Sequence, residues 1–128
     1  EIIDFLYENC NGNNDSWASI QNAVEYALNS NPAFGGFVLY VKSHNKVVGT
    51  LVMNKTRMKG YIPENHLVYL AVDQQYKDKG IEKILLDKAI SISKGQISLH
   101  IKPDDPMKII FEKYGFNNIY DEMRYNSN

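Results

Sequence analysis

Between Val72 and Glu82 a hydrophobic run gives way to a short turn carrying Lys77, Asp78, Lys79 and Gly80, and an amphipathic stretch opens at Ile81. The first N–H groups of a helix have no internal partner and lie at the positive end of its dipole. Residues 77 to 82 are therefore expected to form a nest for a phosphate or pyrophosphate, Gly80 permitting close backbone approach and the lysines adding charge. The same residues also fit a solvated basic turn between two core elements, because short motifs have many false positives.

The chain that must position this turn has 128 residues, enough for one domain over residues 1–128. Hydrophobic residues at 44% and charged residues at 23% describe a globular protein rather than a disordered one. Lys and Arg number 14 against 15 Asp and Glu, so a general electrostatic grip on nucleic acid has no support. The single cysteine, Cys10, cannot form an internal disulfide, and no Cys and His cluster has zinc spacing, so no metal is expected. No apolar run approaches a bilayer span and no signal peptide is read, which sets the expectation of a reducing, cytoplasmic compartment without a membrane partner.

Apolar spacing predicts a helix over residues 1–9, with Ile2, Phe5 and Leu6 on one face. A turn-tolerant loop follows at residues 11–14. Asp15 or Ser16 then suits the cap of a second helix, striped by Trp17, Ile20, Val24, Ala27 and Leu28 and stopped at Asn31 and Pro32. Residues 37–41 and 47–53 read as paired strands around a turn at 43–46, residues 55–65 as a loop, and residues 66–72 as a strand buried on both faces. From Gly80 the period becomes helical, with Ile81, Ile84, Leu85, Ala89 and Ile92 inward and Gly95 as the stop. Residues 97–101 alternate as a further strand, parallel to the one before the helix. Asp105 suits the cap and Pro106 the first position of a last helix, Gly115 its end, and residues 116–125 add one or two final strands. The order is that of an α/β domain around a mixed sheet flanked by helices.

The passage from Lys77 to Glu82 resembles the coenzyme-binding signature of the GNAT family of acetyl-CoA-dependent N-acetyltransferases: Arg or Gln, two residues, Gly, one residue, then Gly or Ala. Lys77 stands at the first position, Gly80 at the first Gly and Glu82 at the last. A second passage, Phe111 to Phe116, is similar to the family's Tyr-Glu-Lys-Leu-Gly-Phe and follows at the expected place. The two passages and their strands cover residues 36–125. The family's first strand normally precedes its first helix, and this chain opens at the helix, which leaves a trimmed or a missing strand as alternatives.

The resemblance implies a GNAT-like mixed sheet whose central parallel strands splay to admit the pantetheine arm. Backbone groups of Leu70, Ala71 and Val72 would pair with that arm as though it were a strand. Amides of Lys77, Asp78, Lys79, Gly80, Ile81 and Glu82 would hold the pyrophosphate of acetyl-CoA. A neutral amine would attack the thioester, a base taking its proton and a backbone N–H near Leu70 or Val72 meeting the charge on oxygen. His66 is the first candidate base, six residues before Val72 where some members carry a glutamate, and its ordinary pKa near 6.5 suits neutral pH. Glu64 is the second candidate; a bulge in this strand would shift facing parity, so alternation does not decide between them. Asp104 and Asp105 cover the position of the family's cofactor-contacting asparagine, although helix capping explains Asp105 as well.

Two departures bear on activity. Phe111 occupies the place of the family's general-acid tyrosine and cannot donate a proton, leaving Tyr114, one turn away, or Tyr76 as substitutes for the acid and Phe111 itself as a cofactor contact. Glu82 sets a carboxylate where a small residue is usual, although an acidic group also suits the first turn of a helix. The resemblance thus implies transfer of an acetyl group to a primary amine on a small molecule or peptide, with activity weakened by Phe111 and Glu82. The alternative is an acyl-CoA-binding or interaction module on the same fold. A homodimer through an edge strand is a further expectation.

Overall fold

The computed structural model describes residues 1–10, 15–31 and 35–127. Helix α1 (Ile2–Asn9) and helix α2 (Trp17–Ala27) come first. Ser16, not Asp15, caps α2, its side chain accepting the Ser19 N–H at 3.1 Å. The loop expected at residues 11–14 and the stop at Pro32 lie outside the described residues. Helix α2 ends earlier than Asn31 because its last turn tightens, Asn29 N–H turning to the Tyr26 carbonyl. Ile20, Val24 and Ala27 form its buried stripe, while Trp17 and Leu28 stand exposed at the two ends.

Strands β1 (Gly36–Ser43), β2 (Lys46–Lys55) and β3 (Asn65–Val72) are antiparallel neighbours, and β4 (Ile97–Leu99) runs parallel to β3. The sheet order is β1-β2-β3-β4. His44 and Asn45 take φ of 51° and 64°, the left-handed pair that a two-residue hairpin turn requires. Helix α3 (Ile81–Ile92) connects β3 to β4, and helix α4 (Met107–Lys113) follows.

The two faces of the sheet bury separate cores. Val48, Leu51, Met53, Leu67 and Val72 pack against Ile81, Leu85, Leu86 and Ala89 of α3 and Phe111 of α4. Val47, Val52, Tyr69 and Ala71 pack against Phe5, Leu6, Ile20, Val24 and Ala27 of α1 and α2. Between them β3 carries an extra residue: Val52 pairs with Tyr69 and Met53 with Leu67, leaving Val68 over. This bulge reverses parity, so Leu67 and Leu70 pack on the α3 side while Val68 and Tyr69 pack on the α1–α2 side.

Several sequence expectations change here. The buried arc of α3 runs through Ile81, Leu85, Leu86 and Ala89, and Ile84 and Ile92 are exposed. That helix stops at Ser93, which is extended, before Gly95 is reached. Strand β4 ends at Leu99 rather than Ile101, and among the described residues the chain beyond Phe116 forms no strand. The last segment is rich in Asn and charge and leaves Ile119, Tyr120, Met123 and Tyr125 exposed, so no ladder forms beyond β4. The diverging parallel pair therefore lies at the edge of the described sheet rather than at its centre.

Helix α4 starts at Met107, one residue after the predicted first position Pro106, and closes at the predicted Gly115. Asp105 Oδ1 accepts the Met107 N–H at 2.9 Å, with Pro106 already in helical geometry. At the other end Gly115 N–H bonds the Glu112 carbonyl and Phe116 N–H the Phe111 carbonyl, each at a distance of 3.0 or 3.1 Å. Those two bonds are a Schellman cap, and Phe111 and Phe116 meet edge to face at 5.5 Å across it. No helix among the described residues is long and apolar enough to cross a membrane.

Candidate functional site

Strands β3 and β4 pair at three positions only, Asn65 with Ile97, His66 with Ser98 and Leu67 with Leu99, and then diverge. The wedge opens into a slot of about 470 Å³. Leu70, Ala71 and Val72 line one wall, and Lys102, Asp104, Asp105, Pro106 and Met107 the other. Asn9 and Cys10 contribute from the end of α1, and Gln74, Lys77 and Glu82 from the turn and helix after β3. Beyond Leu67 the edge of β3 has no strand partner among the described residues, so a backbone-like ligand can be met there by main-chain groups.

The turn between β3 and α3 is built by local hydrogen bonds. Asp73 Oδ1 accepts the Gln75 N–H at 2.9 Å and starts a single 3-10 turn over Gln74–Tyr76. The chain then passes through positive φ at Asp78 (66°) and Gly80 (80°) into α3. Gly80 is the cap residue, and its carbonyl accepts the Ile84 N–H at 3.1 Å, so the amides of residues 81–83 are left without helical acceptors. A side-chain carbon added at Gly80 would meet nothing within 4 Å, which leaves open space beside those donors.

Of the predicted coenzyme residues, Leu70, Ala71, Val72, Lys77, Glu82 and Asp105 line the slot together. Asp104 lines it too. Gly80 faces the adjoining groove between α3 and α4, which Glu82 also borders. Asp78 and Lys79 are exposed on the turn, and the Ile81 side chain is buried in the core. Phe111 is a correction: it is buried in the α3-side core against Phe116 and does not line the slot.

The predicted proton-transfer residues divide. His66 pairs with Ser98, one pair before the strands diverge, and is not among the residues that line the slot. Its Nδ1 lies 2.9 Å from Ser98 Oγ, and its ring meets that of His100 edge to face at 4.8 Å. Burial first, and then the neighbouring His100, lower its pKa, so the ring is neutral at pH 7. Glu64 is committed elsewhere. Its Oε1 accepts the Gln96 N–H at 3.2 Å, and its carboxylate occupies the space that any side chain at Gly95 would need. Asn65 reinforces that tie, Nδ2 donating to the Lys94 carbonyl at 2.8 Å. Tyr114 is also a correction. It stands in the α3–α4 groove, its hydroxyl 3.4 Å from the Lys83 carbonyl, and is not part of the slot. Tyr76 reaches Ser43 Oγ at 3.3 Å instead.

Sequence reasoning missed Asn9, Cys10, Lys102 and Met107 as slot residues. They come from the two segments that only tertiary structure brings beside β3, and no local pattern marks them. Lys102 opposes Lys77 from the other wall and gives the slot cations on both sides, against the carboxylates of Glu82, Asp104 and Asp105.

The sequence model of the Acetyltransferase (GNAT) family matches residues 3–116. A comparison with curated proteins gives no match. Among solved structures, Ard1 from Thermoplasma volcanium is similar at 20% identity and a TM-score of 0.72, over 92% of this chain and 78% of that one. A GNAT family acetyltransferase from Streptococcus pneumoniae gives 13% identity and a TM-score of 0.69, over 98% and 92%. An aminoglycoside antibiotic 6'-N-acetyltransferase from Acinetobacter haemolyticus gives 13% and 0.64, over 98% and 89%.

Proposed function

The chain belongs to the Acetyltransferase (GNAT) family, and we propose that it transfers an acetyl group from acetyl-CoA to a primary amine. One observation carries the reading: the slot between β3 and β4 leads from a strand edge without a ladder partner to a turn with Lys77, open space at Gly80 and the free amides of α3. A pantetheine arm matches the first of these and a pyrophosphate the second. The thioester supplies the activated acetyl group. The protein's own part is to hold the arm along Leu70 to Val72, to place main-chain donors at the thioester oxygen, and to keep His66 neutral, one pair before the strands diverge, where it takes the amine proton directly or through water.

A second reading is favoured by a specific observation. With Phe111 in the core and Tyr114 turned to Lys83, the slot lining holds no tyrosine hydroxyl to protonate the departing thiolate. A module that binds acetyl-CoA without efficient turnover would have this lining. Coenzyme A thiolate is a fairly good leaving group, and for that reason transfer is the first reading. Calorimetry with acetyl-CoA, followed by thiol release across a panel of amines, separates the two. Binding with release supports transfer, and binding without release supports the module. No heat and no thermal shift at millimolar ligand removes both.

Glu82 tunes the same contact. Its carboxylate borders the slot near the turn, where an added diphosphate is repelled by about 1 kcal/mol per charge pair at 4 Å in water. Glu82→Ala is expected to tighten acetyl-CoA binding by about fivefold to tenfold at low salt, with the gain shrinking as ionic strength rises. A calorimetric titration at two salt concentrations checks it; equal affinities for the two proteins would place the carboxylate away from the phosphates.

A further inference from the structure

On the α1–α2 side of the slot stands a carboxylate with no part in the chemistry above. Tyr69, next to Leu70 on β3, is only 3% exposed, and its hydroxyl donates to Asp15 Oδ2 at 2.5 Å. The bulge at Val68 is what turns Tyr69 to this face. Asp15 itself is exposed, so a buried and immobile donor fixes a carboxylate that solvent and ligands reach. Cys10 ties the pair to the slot, since it lines the slot and lies within the Asp15 field.

The protonation states of Cys10 and Tyr69 are settled by their surroundings. Burial, then the Asp15 charge, push the Cys10 thiol up to about 12, so it is neutral and unreactive. Burial, then the bond to Asp15, raise the Tyr69 hydroxyl, which therefore keeps its proton and keeps donating. Arg124 feels the Asp15 charge, and its guanidinium is paired with Glu122 at 2.6 and 2.8 Å. Glu122 in turn lies 3.5 Å from His100 Nδ1.

An exposed carboxylate held in one orientation by a buried donor is suited to meet a cation. The nitrogen that attacks a thioester must be neutral, so it is not the group this carboxylate serves. We infer that Asp15, oriented by Tyr69, recognises the acceptor, and that the acceptor carries a positive charge besides the nitrogen that is acetylated. This rests on the acetyl-transfer reading for the identity of the reacting group, though not for the binding of the cation.

The test compares kcat/KM for 1,4-diaminobutane and 1-aminobutane with saturating acetyl-CoA. The native protein is expected to favour the diamine by about tenfold, and Asp15→Asn to remove that preference, chiefly through KM. Tyr69→Phe keeps the ring and loses the tether, and is expected to remove part of the preference. Glu112→Gln, the same change of charge on exposed α4, leaves it intact. A ratio near one in the native protein, or one unmoved by Asp15→Asn, overturns the inference. Should no amine be acetylated, calorimetry of 1,4-diaminobutane against the coenzyme A-loaded protein decides. Binding lost in Asp15→Asn upholds the cation site and removes the transferase reading, whereas absent or Asp15-independent binding overturns the site.

Discussion

Gly80→Glu is expected to weaken acetyl-CoA binding by about 100- to 1,000-fold. Two effects add. Gly80 holds φ at 80°, a geometry that places an L-residue about 1–2 kcal/mol above its preferred regions. A turn that relaxes to avoid this strain no longer aims the amides of α3 into the opening. A carboxylate at the same point also repels the diphosphate, by about 1 kcal/mol per charge pair at 4 Å in water. Gly80→Ala isolates the first effect, because open space surrounds the position and a methyl group touches nothing. The alanine variant is therefore expected to lose about tenfold, and the glutamate variant the remainder. Isothermal titration on both, with circular dichroism to show that each is folded, reads the difference. A glutamate variant within threefold of the native affinity would mean that the phosphates dock elsewhere.

The turn was legible in the sequence because its chemistry is local. Gly80, the lysines and the amphipathic start at Ile81 all fall within a few residues, and main-chain geometry follows from them. The hairpin at His44 and Asn45 and the caps of α4 were legible for the same reason. The passage from Phe111 to Phe116 shows how a local pattern can be read correctly in place and wrongly in role. Its Gly115 and two phenylalanines are accounted for by a Schellman cap closing on an aromatic contact, and Phe111 is held in the core by that packing rather than presented to the coenzyme.

What escaped was whatever depends on neighbours distant in sequence. Alternation along β3 could not choose between His66 and Glu64 because one extra residue, Val68, reverses parity midway, and only the pairing with β2 reveals it. Ile84 of α3, expected inward, is exposed and Leu86 is buried, since the sheet beneath decides which side of the Ile81–Leu85–Ala89 stripe is covered. Residues 116–125 hold apolar residues among Asn and charge and pair with no strand among the described residues. The Tyr69–Asp15 bond joins positions 54 apart, beyond the reach of any spacing rule.

His66→Ala is expected to lower kcat at neutral pH by about 100-fold or more while the dissociation constant for acetyl-CoA stays within twofold, since general-base catalysis contributes about 10²–10⁴. The position argues for the size of the effect. The ladder between β3 and β4 ends at the Leu67–Leu99 pair, and His66 occupies the pair before it, with Ser98 at 2.9 Å fixing the ring. The sign of the pH dependence follows from the direction of its shift. Burial and His100 lower the His66 pKa below the ordinary value, so the neutral form that accepts a proton persists into mildly acid solution and is lost only below the lowered pKa. The native kcat/KM profile is therefore expected to be level, as far as His66 governs it, from neutral pH down to that point and then to fall about tenfold per pH unit. In His66→Ala this acid limb disappears along with the rate. Glu64→Gln offers the contrast. Its carboxylate accepts the Gln96 N–H and packs against Gly95, so its replacement is expected to lower the melting temperature and leave the acid limb in place. A pH–rate series on the three proteins reads all of this at once. If the limb survives in His66→Ala and vanishes in Glu64→Gln, the base is the glutamate, and the tie to Gln96 must open during turnover.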